Sequence, residues 1–168
     1  MKLFGHRIML KPIDLDMAKM LAINPLEFFT LYEIPLDHDW PSVALQALLP
    51  MYSERLVQDP SEIGYGPWLI LHKETNEILG EIGFKGKSSN HVVDIGYQIV
   101  PRMRRIGYAS EAVYVLCNWA FDQGIVMITA SCDKFNYNSQ RVLFHNNFLL
   151  VRQEYDLLYY HKRRDING

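Results

Sequence analysis

The chain has 168 residues, 49% hydrophobic and 21% charged, which suits one globular domain over residues 1–168 and excludes a disordered chain. A formal charge of −2 and a pI near 6.3 exclude a surface built to hold nucleic acid, so any electrostatic function is local. No apolar run reaches the about 18 residues of a membrane span, the N-terminus has no signal-peptide core, and Cys117 and Cys132 form no CxxC pair. A reducing, cytoplasmic home with no membrane partner is the expectation.

In chain order, Lys2–Pro12 is expected as one strand, and Asp14 opens a short helix carrying Leu15, Ala18, Met20 and Leu21. Asn24-Pro25 and the stretch Pro35 to Pro41 mark turns. The apolar spacing of Val43, Ala44, Ala47, Leu48, Met51 and Leu56 predicts a helix from Ser42 to about Gln58, which Pro50 should kink or split. Strands follow at Trp68–Leu71, Ile78–Phe84 and Val92–Val100.

A basic segment, 101–108, then leads into the clearest helix, where Ala109, Ala112, Val113, Leu116, Cys117 and Ala120 share one face. Gln123-Gly124 stops it. A strand at Ile125–Cys132, a helix near Asn138–Asn146 and strands at about Phe148–Glu154 and Leu157–Lys162 complete the chain. A helix joining strands 92–100 and 125–132 implies a parallel pair inside a mixed sheet, hence a three-layered α/β fold.

Several motifs fail on context. Gly86-Lys87-Ser88 resembles the end of a Walker A loop, but Glu81 stands where its first glycine belongs and a strand follows. Gly80, Gly83 and Gly86 lie in a strand and turn, not before a helix, and there is no GxSxG. The six histidines make no HExxH or HxxxH pair, so no metal site is expected; Asp37-His38-Asp39 is the nearest approach to one.

The stretch Asp94-Ile-Gly-Tyr-Gln-Ile-Val-Pro-Arg-Met-Arg-Arg-Ile-Gly107 is different. A strand ends at Pro101, Arg102, Arg104 and Arg105 follow, and Gly107 stands where a helix begins. Free N–H groups at a helix start and a glycine permitting close approach make a pyrophosphate cradle. A solvated basic turn before an ordinary helix fits the same spacing equally well.

Arg104-Arg-Ile-Gly107-Tyr-Ala109 resembles the R/Q-x-x-G-x-G/A signature of the GNAT superfamily of acyl-CoA N-acyltransferases. Other segments resemble its RimJ/RimL-like branch: Arg7–Asp14 its opening, Asp94–Pro101 its central strand, Tyr108–Ala112 its helix start, and Asn136-Tyr-Asn-Ser139 with Phe148 its later motif. The likeness covers nearly the whole chain and is weakest at 24–65. It departs at Arg105 and Asn147, where the family usually has glycine, and it has Leu143 where many GNAT enzymes place a tyrosine acid.

The resemblance implies a mixed, mostly antiparallel sheet of about seven strands with a splayed parallel pair and helices on both faces. It implies acetyl-CoA as cosubstrate, an amine acceptor, and transfer by direct attack, and it admits a homodimer. Ile99 and Val100 would pair with the pantetheine amides, and Arg104, Arg105, Ile106, Gly107, Tyr108 and Ala109 would hold the pyrophosphate, with Arg102 nearby. Asn136 would hold the pantetheine arm, Ser139 would serve the leaving thiolate, and an N–H near Ile99 would stabilise the oxyanion.

Glu81 and Asp94 are the candidate bases, while Glu111 in the first helical turn suits the helix dipole. Cys132, ending an apolar strand, and Cys117, on the buried helix face, suit packing better than nucleophilic catalysis. The acceptor is either a small molecule or a protein N-terminus. The aromatics Phe28, Phe29, Tyr32, Trp40 and Tyr52 either shape its site or belong to the core. A GNAT-fold module that binds acyl-CoA without turnover is the alternative to an enzyme.

Overall fold

The computed structural model describes residues 1–165. Leu3–Phe4 (β1) and Ile8–Pro12 (β2) pair antiparallel, Leu3 opposite Leu10, so the single strand expected from Lys2 to Pro12 is a hairpin. Gly5 makes the turn: a Cβ there would lie 2.5 Å from the Glu111 carboxylate. This hairpin also raises the strand number from about seven to eight.

Asp14 caps Leu15–Ile23 (α1) by accepting from the Met17 amide at 2.9 Å. Asn24, expected as a turn, ends α1 and caps a further helix, Pro25–Leu31 (α2), with Pro25 at its first position, where a missing N–H costs nothing. Ser42 caps Val43–Gln58 (α3), which continues unbroken through Pro50. Pro50 and Gln46 are exposed, so water can reach the carbonyl that a residue-50 amide would otherwise bond.

Pro67–His72 (β3), Ile78–Phe84 (β4), Val92–Ile99 (β5), Met127–Asp133 (β6), Leu149–Glu154 (β7) and Leu157–Arg163 (β8) extend the sheet in the order β1-β2-β3-β4-β5-β6-β8-β7. Among the described residues only β5 and β6 run parallel, joined through Tyr108–Asp122 (α4); Tyr137–His145 (α5) links β6 to β7.

Two cores hold the layers. On one face Ala112, Val113, Leu116, Cys117 and Ala120 of α4 pack on Ile82, Phe84, Ile95 and Ile99. On the other, α1 to α3 pack on Leu69, Leu71, Ile78 and Val100. Phe28, Phe29, Trp40 and Tyr52 are buried in this second core, and the rings of Phe28, Phe29 and Trp40 lie 5.7–5.9 Å apart. These aromatics are core.

Candidate functional site

The site begins where β5 and β6 part. Their parallel pairing runs from Val92–Met127 to Asp94–Thr129 and stops, while both strands continue. In the β4–β5 ladder the Val100 amide donates to Leu79 at 2.9 Å, and the matched pairs Glu81–Gln98 and Gly83–Gly96 share its register. Backbone polar groups alternate sides along a strand, so the amides of Tyr97 and Ile99 point away from β4, into the gap. The Ile99 carbonyl already accepts from Arg104 Nε at 2.9 Å.

A cavity of about 880 Å³ joins this gap to the start of α4. Ile99, Arg104, Arg105, Gly107, Tyr108 and Ala109 line one side, and Asn136 and Ser139 the other. Gly107 has φ +92°, and no side chain caps α4, which leaves the first-turn amides open. The Asn136 side-chain oxygen accepts from the Ser139 amide at 3.1 Å, so Asn136 caps α5. The Tyr97 hydroxyl donates to the Ser139 carbonyl at 3.4 Å, and burial chiefly pushes its pKa up to about 12.

Other expected residues lie elsewhere. Val100 is buried beneath α1–α3 with its amide bonded to Leu79, so Ile99 alone of that pair faces the gap. Ile106 turns its side chain to solvent and its carbonyl to Arg7, outside the cavity. Arg102 bonds Asp37 at 2.5 Å instead of lining the cavity. Among the described residues no three His, Cys, Asp or Glu side chains form a cluster able to hold a metal.

The two carboxylates differ in setting. Asp94 lies at the closed end of the β5–β6 pair, bonded to Lys85 at 2.5 Å and to Thr129 at 3.2 Å. Glu81 stands opposite Gln98, which lines the cavity, and cross-strand neighbours have Cβ atoms roughly 5 Å apart. Trp40 Nε1 donates to one Glu81 oxygen at 2.7 Å and the Ser42 hydroxyl donates to the other. Burial raises the Glu81 pKa, against the lowering effect of those two bonds. Next to this pair, a Cβ at Gly96 would meet nothing within 4 Å, so the sheet face beside Glu81 is open.

Burial raises both thiols, Cys117 to about 12, which keeps them protonated. The cavity also takes in Tyr97, Gln98, Ser110 and Arg141, which lie in or beside the matched motifs but have no role assigned there, and His145, which lies outside them. Tyr137, Arg141 and His145 are four positions apart and share a helical face, but neither Asn136 nor Ser139 falls on that spacing, so the motif residues give no signal for them.

Both departures from the family glycines lie in left-handed backbone. Arg105 has φ 64° and Asn147 has φ 61°. Asn tolerates that region; Arg is strained there by about 1 kcal/mol.

A splayed parallel pair, with an uncapped helix start and two arginines at its mouth, defines an acyltransferase-type site. The acetyltransferase (GNAT) domain family matches residues 7–148, and the chain belongs to that family of acetyltransferase enzymes. It is 30% identical over 147 residues to the uncharacterized N-acetyltransferase YjdG of Bacillus subtilis (strain 168), across 86% of this chain and 88% of that protein.

Its fold matches the ribosomal-protein-S5-alanine acetyltransferase from Vibrio fischeri with a TM-score of 0.68 and 18% identity, over 99% of this chain and 98% of that one. It also matches RimL, the ribosomal L7/L12 alpha-N-protein acetyltransferase in complex with coenzyme A, with a TM-score of 0.69 and 20% identity, over 97% and 98%. No helix among the described residues is long and apolar enough to cross a membrane.

Proposed function

We propose that the protein transfers the acetyl group of acetyl-CoA to a primary amine, of a small molecule or a protein N-terminus, by direct attack. The observation that carries this reading is the continuity of one cavity from the open α4 amides to the gap faced by Ile99. Acetyl-CoA supplies the thioester whose carbon the neutral amine attacks.

The amides of Gly107, Tyr108 and Ala109, with Arg104 and Arg105, hold the pyrophosphate. Ile99 presents its N–H to the oxyanion as charge develops, an effect worth about 3 kcal/mol. The Asn136 amide nitrogen is left to hold the pantetheine arm, since its oxygen caps α5. Ser139 donates a hydrogen bond to the leaving thiolate.

Glu81 takes the ammonium proton through water. Neither carboxylate lines the cavity; the burial of Glu81 and its place opposite the cavity-lining Gln98 support this assignment over Asp94, whose carboxylate is bonded to Lys85 and Thr129. The acceptor approaches over the bare face at Gly96. Two buried, unpaired cysteines accord with a reducing, cytoplasmic setting.

The test is thiol release from acetyl-CoA against small amines and peptides with free N-termini. Amine-dependent release supports an enzyme of this class. Tight binding of acetyl-CoA without release for any acceptor makes the protein a binding module instead.

A further inference from the structure

We infer that Arg7 is a positioning residue for the loop that receives the cofactor's pyrophosphate. This rests on the acetyl-CoA reading above. Residues Arg104 to Gly107 are exposed, so no buried side chain anchors them, and Arg105 and Gly107 hold left-handed backbone at φ 64° and 92°. Such a loop keeps its shape only if something outside it holds the backbone.

Arg7, at the end of the β1–β2 turn, does this from behind. Its Nη1 donates to the Ile106 carbonyl at 2.9 Å, and its Nε donates to Glu111 Oε2 at 3.0 Å. Its own amide donates to Glu111 Oε1 at 2.7 Å, and its guanidinium lies 4.5 Å over the Tyr108 ring. A Cβ at Gly107 would lie 3.2 Å from Arg7 Nη2.

Glu111 is fixed in turn. The glycine turn closes on its carboxylate, whose side chain is 15% exposed. Burial raises the Glu111 pKa, but the Arg7 bonds and charge outweigh it and leave the carboxyl below its usual value. Arg7 does not line the cavity, so it acts through the loop and not on the phosphates. Only a planar fork makes the Ile106 and Glu111 bonds together; a lysine ammonium does not.

The test compares CoA with pantetheine, which lacks the pyrophosphate, on the wild type, Arg7→Gln, Arg7→Lys and the double variant Arg7→Gln/Glu111→Gln. Calorimetry gives the CoA Kd and NMR titration the weaker pantetheine Kd. Removing charge-assisted hydrogen bonds should raise the CoA Kd about tenfold in Arg7→Gln and in the double variant, and less in Arg7→Lys. The pantetheine Kd should not change.

Three results overturn the inference. An unchanged CoA Kd means that the brace has no role, and equal weakening of both ligands means general loosening of the fold. Recovery of CoA affinity in the double variant means that Arg7 only neutralises Glu111. A wild type that binds no CoA at all fails the acetyl-CoA reading itself.

Discussion

Asp94 on β5 stands opposite Thr129 on β6, and their matched pairing goes no further. The hydroxyl of Thr129 donates to the Asp94 carboxylate at 3.2 Å, pinning the closed end of the fork. Everything assigned to cofactor chemistry lies beyond this pin, on the open side.

Gly107 is the left-handed residue at the start of α4 and lines the cavity. A Gly107→Val substitution meets both a left-handed φ of 92° and Arg7 at 3.2 Å, so it shifts the backbone that presents the first α4 amides and the Arg7 side chain behind it. Calorimetric CoA affinity should fall at least tenfold, a loss of about 1.4 kcal/mol or more. Unchanged affinity would remove the cradle from the account.

Arg105→Gly should separate stability from binding. Glycine relieves the left-handed strain of about 1 kcal/mol, less the backbone entropy it adds to the unfolded chain. The melting temperature should hold or rise while the CoA Kd increases through loss of a cationic contact. A variant that binds CoA as tightly as the wild type would show that Arg105 is not a phosphate ligand.

Glu81→Gln and Asp94→Asn distinguish the bases. Loss of a general base typically costs 10²–10⁴-fold, so Glu81→Gln should lower kcat by about a hundredfold or more. Asp94→Asn breaks a half-exposed ion pair worth under about 1 kcal/mol and should leave kcat near wild type. The base acts deprotonated, and burial raises the Glu81 pKa. The acidic limb of the pH profile should therefore turn above the usual carboxylate value of 4.5 and vanish in Glu81→Gln. An unaltered limb would move the base elsewhere.

Ser139→Ala should reduce kcat more than CoA affinity, because the thiolate needs its donor only as the bond breaks. CoA thiolate leaves readily, so activity should slow and not disappear. Weakened binding with unchanged kcat would make Ser139 a binding residue only.

Much of this was legible because strong local signals agreed with the final packing. The α4 face from Ala112 to Ala120 and the implied β5–β6 parallel pair both follow from periodicity and chain order. Other features depend on contacts between distant segments. The chain turns at Gly5, where Glu111 leaves no room for a side chain, a contact that spacing along 2–12 does not encode. Pro25 looks like a helix stop but is a helix start, the same residue serving both signals.

At the site, the glycine-to-arginine change at 105 is visible in sequence, yet its φ of 64° belongs to the fold. The assignment of Ile99 and Val100 to opposite sides of β5 needs the ladder partner Leu79. The Trp40 and Ser42 bonds to Glu81 join segments about forty positions apart. Sequence spacing supplies the residue types but not these meetings.

The most direct measurement is amide hydrogen exchange at Ile99 and Val100 with and without acetyl-CoA. The Val100 amide is already bonded to Leu79, whereas that of Ile99 faces the gap. Acetyl-CoA should slow exchange at Ile99 and at Tyr108 to Ser110 and leave Val100 unchanged. Binding that leaves Ile99 and the start of α4 unprotected would contradict the placement of the cofactor between β5 and β6.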